Sequence, residues 1–326
     1  MGDLSFTVGD LLDRNAACHP EKQAVVCEKI RFTYGELKAK VDLVGRGLLG
    51  VGVKKGDHVA LLMDNRPEWL LVCLAVAKIG AVVVPINTRY RLHELAYLLT
   101  HARPSLLILI DRFHQADFIE MLFELDPSLR NSPREAVRSE KFKSLRQIFC
   151  LSEREYPGMK RWQEILDWAG KVPPTGLSAA QKKVTPQDII YILYTSGTTT
   201  MPKGAMLTHW NIRRNGENIA ARMHATPQDR FWIPIPLFFS FACANALMTA
   251  LNTGACLVLQ PYFEPEEALA LIERERCTIL YANPSIYLPL LDHPGRKRFD
   301  LSSLRSGIAM GTAQNLRRLV EELGVT

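Results

Sequence analysis

The sequence predicts an α/β fold in which mostly parallel sheets are flanked by helices. Two patterns carry this. Apolar runs of strand length alternate with segments of helical period along most of the chain, and the most apolar stretch, Phe231 to Phe263, is cut by Pro234, Pro236, Asn245, Asn252 and Gly254 into a strand, a loop, a helix and a second strand. A length of 326 residues with 47% apolar and 23% charged residues allows a sizeable core and two domain-sized units.

Thr33 and Glu36 have capping-box spacing, so a helix should start there and run to about Gly50. A strand near His58 to Met63 follows, then a helix from about Pro67 to Ile79 stopped by Gly80, and a strand from Ala81 to Ile86. Residues 111 to 187 are more polar, with short helical patterns at Phe118 to Leu125 and Trp162 to Ala169, and carry no recognisable chemistry. Strong patterning resumes with a strand from Ile189 to Tyr194 and a helix from about Thr208 to Met223, ahead of the apolar block. Beyond the block come a helix from Pro265 to Cys277, a strand from Thr278 to Tyr281, and a strand near Leu304 to Met310 leading into a helix that has barely begun at the last residue.

Several function classes are disfavoured. The net charge of +6 comes from scattered Lys and Arg, without basic tracts interleaved with aromatics, so nucleic acid is not an expected partner. Seven cysteines form no Cys-x-x-Cys pair and leave one over, which suggests neither a zinc site nor a disulfide framework; reduced core thiols are expected. The uncharged run from Phe231 to Phe263 is long enough to cross a bilayer, but its prolines and glycine argue against a membrane span. The first ten residues show no secretory pattern, and Phe6 stands where a myristoylation signal needs Ser or Thr, so a cytoplasmic location is expected.

The most informative segment is Tyr194-Thr195-Ser196-Gly197-Thr198-Thr199-Thr200-Met201-Pro202-Lys203-Gly204, directly after a strand. Its glycines allow tight turns with exposed amides, its hydroxyls add donors, and Lys203 supplies a cation: together, a cradle for a polyphosphate. A plain Ser/Thr-rich surface loop is the alternative. It is disfavoured by the flanking strand and the Pro-Lys-Gly ending. The segment is not a Walker loop, because five residues separate Gly197 from Lys203 and Gly204 follows the lysine. A Rossmann spacing at Gly45, Gly47 and Gly50 falls at a predicted helix end instead of a strand-to-helix turn, which argues against dinucleotide binding.

The segment Ile190 to Gly204 resembles the signature motif of the adenylate-forming (AMP-dependent synthetase/ligase) superfamily, which includes acyl- and aryl-CoA synthetases, peptide-synthetase adenylation domains and beetle luciferases. Phe32 to Leu37, Ala77 to Asn87, and Pro236-Leu237-Phe238-Phe239 are similar to other motifs of that family, and Arg305 to Ala309 resembles its strand beside the acyl group and adenine. These motifs run in the family's order across essentially the whole chain. The resemblance implies an acyl-CoA synthetase type that joins MgATP and a carboxylic acid into an acyl-adenylate and then transfers the acyl group to coenzyme A. It implies that Thr195, Ser196, Gly197, Thr198, Thr199, Lys203 and Gly204 hold the ATP phosphates, with Lys203 and Thr198 in catalytic roles. Ser306, Gly307, Ile308 and Ala309 would line the adenine and acyl side. Mg2+ would arrive with the nucleotide, no metal-ligating residue being identified in the chain, and a homodimer is an allowed assembly.

Amino-acid-activating relatives place an aspartate after the first Phe of the fourth motif. Here Phe239 stands there, where an uncompensated ammonium would be costly, so an apolar fatty or aryl acid is expected. Phe239, Ser240 and Cys243 are the expected pocket residues, while the later apolar positions read as core. His209 reads as structural, holding the loop in place. Two departures are notable: Thr200 occupies a position where the family usually has glycine, and Ile308 one where a small residue is common.

The resemblance further implies two packed αβ subdomains forming an amino-terminal domain. One spans about residues 53 to 205, the other 1 to 52 with 206 to 326, and the site is expected where they meet. The family's Tyr-Gly-x-Thr-Glu motif, its ribose-binding Asp and the Lys of its carboxy-terminal domain do not occur in these residues. The expectation is therefore a truncated amino-terminal portion, inactive alone. A non-catalytic homologue, or transfer to a carrier-protein thiol, remains the alternative.

Overall fold

The computed structural model describes residues 6–195 and 202–325. Contacts divide the chain into two compact units: Met1–Asp10, Lys38–Asp64 and Glu68–Asn211 form one, and Leu11–Leu37, Asn65–Pro67 and Ile212–Thr326 the other.

The first unit is built on a seven-stranded sheet in the spatial order Lys203–Thr208, Ile189–Thr195, Val82–Pro85, His58–Leu62, Leu106–Ile110, Gln147–Leu151, Lys160–Arg161. All neighbours are parallel except the edge pair Ile189–Thr195 and Lys203–Thr208, which is antiparallel. The strands Val82–Pro85 and Leu106–Ile110 are wholly buried, as expected of parallel strands covered on both faces. The helix Pro67–Ile79 is apolar nearly all round, with Trp69, Val72, Cys73 and Val76 fully buried, and it ends where Gly80 turns left-handed at φ +73°.

The expected helix after Thr33 spans Tyr34–Gly50 and carries its capping box: Thr33 N donates to Glu36 Oε2 at 2.8 Å, and Glu36 N donates to Thr33 Oγ1 at 3.2 Å. Its Gly47 and Gly50 have a packing purpose. A Cβ there would lie 2.1 Å from the Ile165 carbonyl oxygen and 2.7 Å from that of Trp168, both in or beside the helix Gln163–Trp168.

The second unit holds a six-stranded sheet in the order Ser306–Ala309, Ile279–Ala282, Arg230–Ile233, Cys256–Leu259, Gln23–Cys27, Ile30–Thr33. Only the last pair is antiparallel. The uncharged stretch divides as expected, into the strand Arg230–Ile233, a loop, the helix Leu247–Thr253 and the strand Cys256–Leu259. Among the described residues no helix is long and apolar enough to cross a membrane.

Two expectations need correction. The polar region 111 to 187 also contributes a core strand, Gln147–Leu151, whose three central residues are buried in the parallel sheet. The final helix is well formed over Ala313–Leu323, because Thr312 Oγ1 caps Asn315 N at 3.3 Å and Gly324 ends it at φ +67°.

Candidate functional site

The segment expected to cradle phosphates is held by a β-hairpin. Thr195 and Lys203 are register partners, as are Tyr194 and Gly204, so the sheet brings both ends of the segment together. Thr195 and Lys203 are exposed. Ser196, Gly197, Thr198 and Thr199, with Thr200 and Met201, lie outside the described residues. Gly204 lies within the return strand, where a Cβ would come within 2.9 Å of Ile192 Cγ2 and 3.3 Å of Tyr194 Cζ.

The helix Leu92–Ala102 supplies a buttress that sequence reasoning missed. Tyr97 Oη donates to the Pro202 carbonyl at 3.0 Å, and His101 Nδ1 and Tyr194 Oη are hydrogen-bonded at 2.7 Å. The Tyr97 and His101 rings stack at 5.3 Å, and Tyr194 meets both edge-on at 6.4 and 5.7 Å. Burial, with smaller contributions from Tyr97 and Tyr90, pushes the Tyr194 phenol up to about 12, so its hydroxyl stays protonated at neutral pH. The available signal was the i, i+4 spacing of Tyr97 and His101, which puts both rings on one helix face.

His209 is fully buried. Its Nδ1 accepts from Val8 N at 3.2 Å, which leaves the proton of the neutral ring on Nε2. Burial lowers its pKa to about 4. This is the structural role expected of it, although the group held is the start of the helix Val8–Cys18.

In the second unit, Ser306–Ala309 forms the sheet edge, with Ser306 buried and Gly307, Ile308 and Ala309 half-buried. Gly307 is required by backbone approach: a Cβ there would lie 2.2 Å from the Leu280 carbonyl oxygen. Arg305, just before the strand, donates to Asp229 Oδ1 at 2.9 Å and Oδ2 at 2.5 Å, and to the Met223 and His224 carbonyls at 3.1 and 3.0 Å. Burial opposes ionisation of Asp229, but hydrogen bonds from Arg305, Thr278 and the Thr226 amide outweigh it and lower its pKa. After the strand, Tyr287 Oη donates to the Met310 carbonyl at 3.0 Å, and Gly311 adopts φ +156° with its Cβ position 2.1 Å from that hydroxyl.

The expected acyl-pocket residues take different environments. Phe239 is 41% exposed and lies 4.5 Å, centroid to centroid, from the buried Phe238 ring; Ser240 is exposed and Cys243 fully buried. The chain then makes a π-helical turn, Phe241–Ala246, a form often found at functional sites. The Phe241 ring packs 5.3 Å from that of Tyr281, whose register partner is Ile308. One layer of the second unit thus joins the Phe239 segment to the strand Ser306–Ala309.

The family model described as AMP-binding enzyme matches residues 12–324. YngI of Bacillus subtilis (strain 168), named as a candidate acyl-CoA synthetase, is 35% identical over 99% of this chain and 60% of its own length. The mitochondrial medium-chain acyl-CoA ligase ACSF2 of Macaca fascicularis is 33% identical, over 95% of this chain and 51% of its own. The crystal structure of the anthranilate CoA ligase AuaEII in complex with anthranoyl-AMP has a TM-score of 0.82 at 26% identity, covering 99% of this chain and 59% of that one. The N-terminal domain of FACL13 from Mycobacterium tuberculosis shares the fold, with a TM-score of 0.79 at 24% identity over 98% of this chain and 74% of that one. The chain spans 60% and 51% of the two curated relatives named here.

Proposed function

Since the chain belongs to the AMP-binding enzyme family, we propose that the protein carrying it is an AMP-forming acid–CoA ligase acting on an apolar fatty or aryl carboxylic acid. In the first step a carboxylate oxygen attacks the α-phosphorus of ATP, the bond to the bridging oxygen breaks, and pyrophosphate leaves. In the second the thiolate of coenzyme A attacks the acyl carbon and AMP leaves. Both steps depend on positioning and charge neutralisation more than on acid–base groups.

The observation that carries this reading is the hairpin that pairs Thr195 with Lys203 at the ends of a segment rich in hydroxyls. In this reading Thr195, Ser196, Gly197, Thr198, Thr199, Lys203 and Gly204 hold the phosphates, Lys203 and Thr198 act on the reacting charge, and Ser306 to Ala309 line the adenine side. Magnesium is taken to arrive bound to the nucleotide, as the family resemblance implies. We take the two compact units as the two αβ subdomains of the family's amino-terminal domain. A cytoplasmic location is part of the proposal, supported by seven free cysteines.

An apolar acid is favoured because Phe239 offers no partner to a substrate ammonium, which would be left uncompensated against the ring. Relatives named for medium-chain acyl groups and for anthranilate point the same way. The test is a pyrophosphate-release screen of the full-length gene product with aliphatic, aromatic and amino acids. Release with apolar acids, AMP formation and CoA-dependent thioester are expected. Production of ADP and phosphate, or release with amino acids alone, would overturn the reading.

A further inference from the structure

The segment that presents Phe239 has an unusual hydrogen-bonding problem. The chain leaves the strand Arg230–Ile233 through Pro234-Ile235-Pro236, and neither proline has an N–H to give. The carbonyls of Ile233 and Ile235 and the amide of Leu237 are nevertheless in buried residues and must find partners.

The Gln260 amide serves Ile233, and a single side chain serves the other two. Asn65 is 1% exposed; its Nδ2 donates to the Ile235 carbonyl at 3.0 Å and the Gln260 carbonyl at 3.1 Å, with a longer contact to Ile233 O at 3.4 Å, while its Oδ1 accepts from Leu237 N at 2.7 Å. Gln260 follows the neighbouring strand Cys256–Leu259, and it is tied back by its amide to Ile233 O at 3.2 Å and by Oε1 to Trp232 Nε1 at 3.1 Å. One carboxamide therefore gathers the ends of two adjacent parallel strands and the loop between the sheet and Phe238.

What that loop delivers is the Phe239 ring. Phe239 N donates to the Pro236 carbonyl at 3.0 Å, and Phe239 O accepts from Ala242 N at 2.9 Å and Cys243 N at 3.0 Å, at the start of the π-helical turn. The place of Pro236 thus sets the place of Phe239, and Asn65 holds the residues on both sides of Pro236.

We infer that Asn65 is a positioning residue for acid selectivity: by fixing Ile233 to Leu237 it sets where Phe239 stands, and with it the size of acid accepted. This rests on the ligase reading above. A buried asparagine has four hydrogen-bonding positions, and the only other carboxamide, glutamine, is one methylene longer. Loss of the carboxamide shifts the loop, and a shift of one methylene in an apolar pocket changes discrimination by about tenfold or more.

The test compares the parent full-length enzyme with Asn65→Ala and Asn65→Ser in pyrophosphate release over straight-chain acids and benzoates, with KM for ATP measured alongside. Asn65→Ser keeps a small polar side chain at this position and carries the comparison if Asn65→Ala does not fold. The expected result is a changed ranking of acids, with the ratio of kcat/KM between the best acid and one two carbons longer altered about tenfold and KM for ATP within twofold of the parent. A variant with the parent's ranking, or with losses shared equally by all acids and by ATP, overturns the inference alone. A parent that releases no pyrophosphate with any acid overturns the ligase reading and this inference with it.

Discussion

Tyr97 donates its hydroxyl to the carbonyl of Pro202 at 3.0 Å, one residue before Lys203. The residue before the lysine expected to meet the ATP phosphates is therefore held by a helix side chain from 105 residues earlier in the chain. In Tyr97→Phe the ring packing survives and the hydrogen bond, worth about 1 kcal/mol, is lost. Steady-state kinetics should give a KM for ATP about fivefold higher with KM for the acid unchanged. Equal rises in both would point to general damage instead.

Acid should destabilise the fold through His209. Burial holds its pKa near 4, against an ordinary value of 6.5. The stability this neutral ring provides is complete above pH 6.5 and is lost as pH falls toward 4, because the unfolded chain takes the proton first; the ceiling is roughly 3 kcal/mol. Thermal melts of the parent should show this loss. His209→Asn, less stable at pH 7, should have a flatter slope across the same window, and parallel slopes would show that other groups carry the effect.

Glycines of one helix should respond differently to alanine. In Gly47→Ala the new Cβ would meet a backbone oxygen at 2.1 Å, so overpacking of about 1–3 kcal/mol should outweigh the gain in helix propensity. In Gly45→Ala the tightest contact is a Leu177 methyl at 3.0 Å, which can move, so the change should be nearly neutral or stabilising. Denaturant midpoints of the two variants check the contrast.

The Arg305 and Asp229 pair anchors the strand expected to line the adenine. Asp229→Asn keeps the volume but removes the buried carboxylate facing the guanidinium, at a cost of about 1–3 kcal/mol, because Arg305 is 40% exposed and water can take the place of the lost partner. The melting temperature should fall, and KM for ATP should rise even in preparations that remain folded at the assay temperature.

Phe239→Ala should cost little stability, because the ring is 41% exposed, yet it should shift preference toward bulkier acids. An unchanged acid profile with unchanged kcat/KM would remove Phe239 from the pocket.

Much of the architecture was legible because the parallel strands are buried on both faces and so appear as short apolar runs, as at His58–Leu62 and Cys256–Leu259. The capping pair Thr33 and Glu36 and the stop at Gly80 were legible for a local reason, since each rests on residues a few positions apart. Gln147–Leu151 was harder to see, because its polar neighbours hide a short apolar centre. Gly47 and Gly50 illustrate the opposite difficulty: their spacing suggests a nucleotide loop, whereas their cause is a close approach to Ile165 and Trp168, more than a hundred residues away in sequence.

By itself the sequence determined the α/β class and the order of most elements, and it singled out the segment Tyr194 to Gly204 as the one expected to hold phosphates, because periodicity and motif spacing are local properties of the chain. Only the tertiary structure decided which side chains hold the backbone beside that segment and before Phe239. Asn65 and Tyr97 are ordinary residues in sequence, and their roles arise from carbonyls left without local partners at Ile235 and Pro202. Folding brings these groups within hydrogen-bonding distance across 170 and 105 positions. A buried carbonyl must be satisfied by whatever the fold places beside it, and no local pattern records that choice.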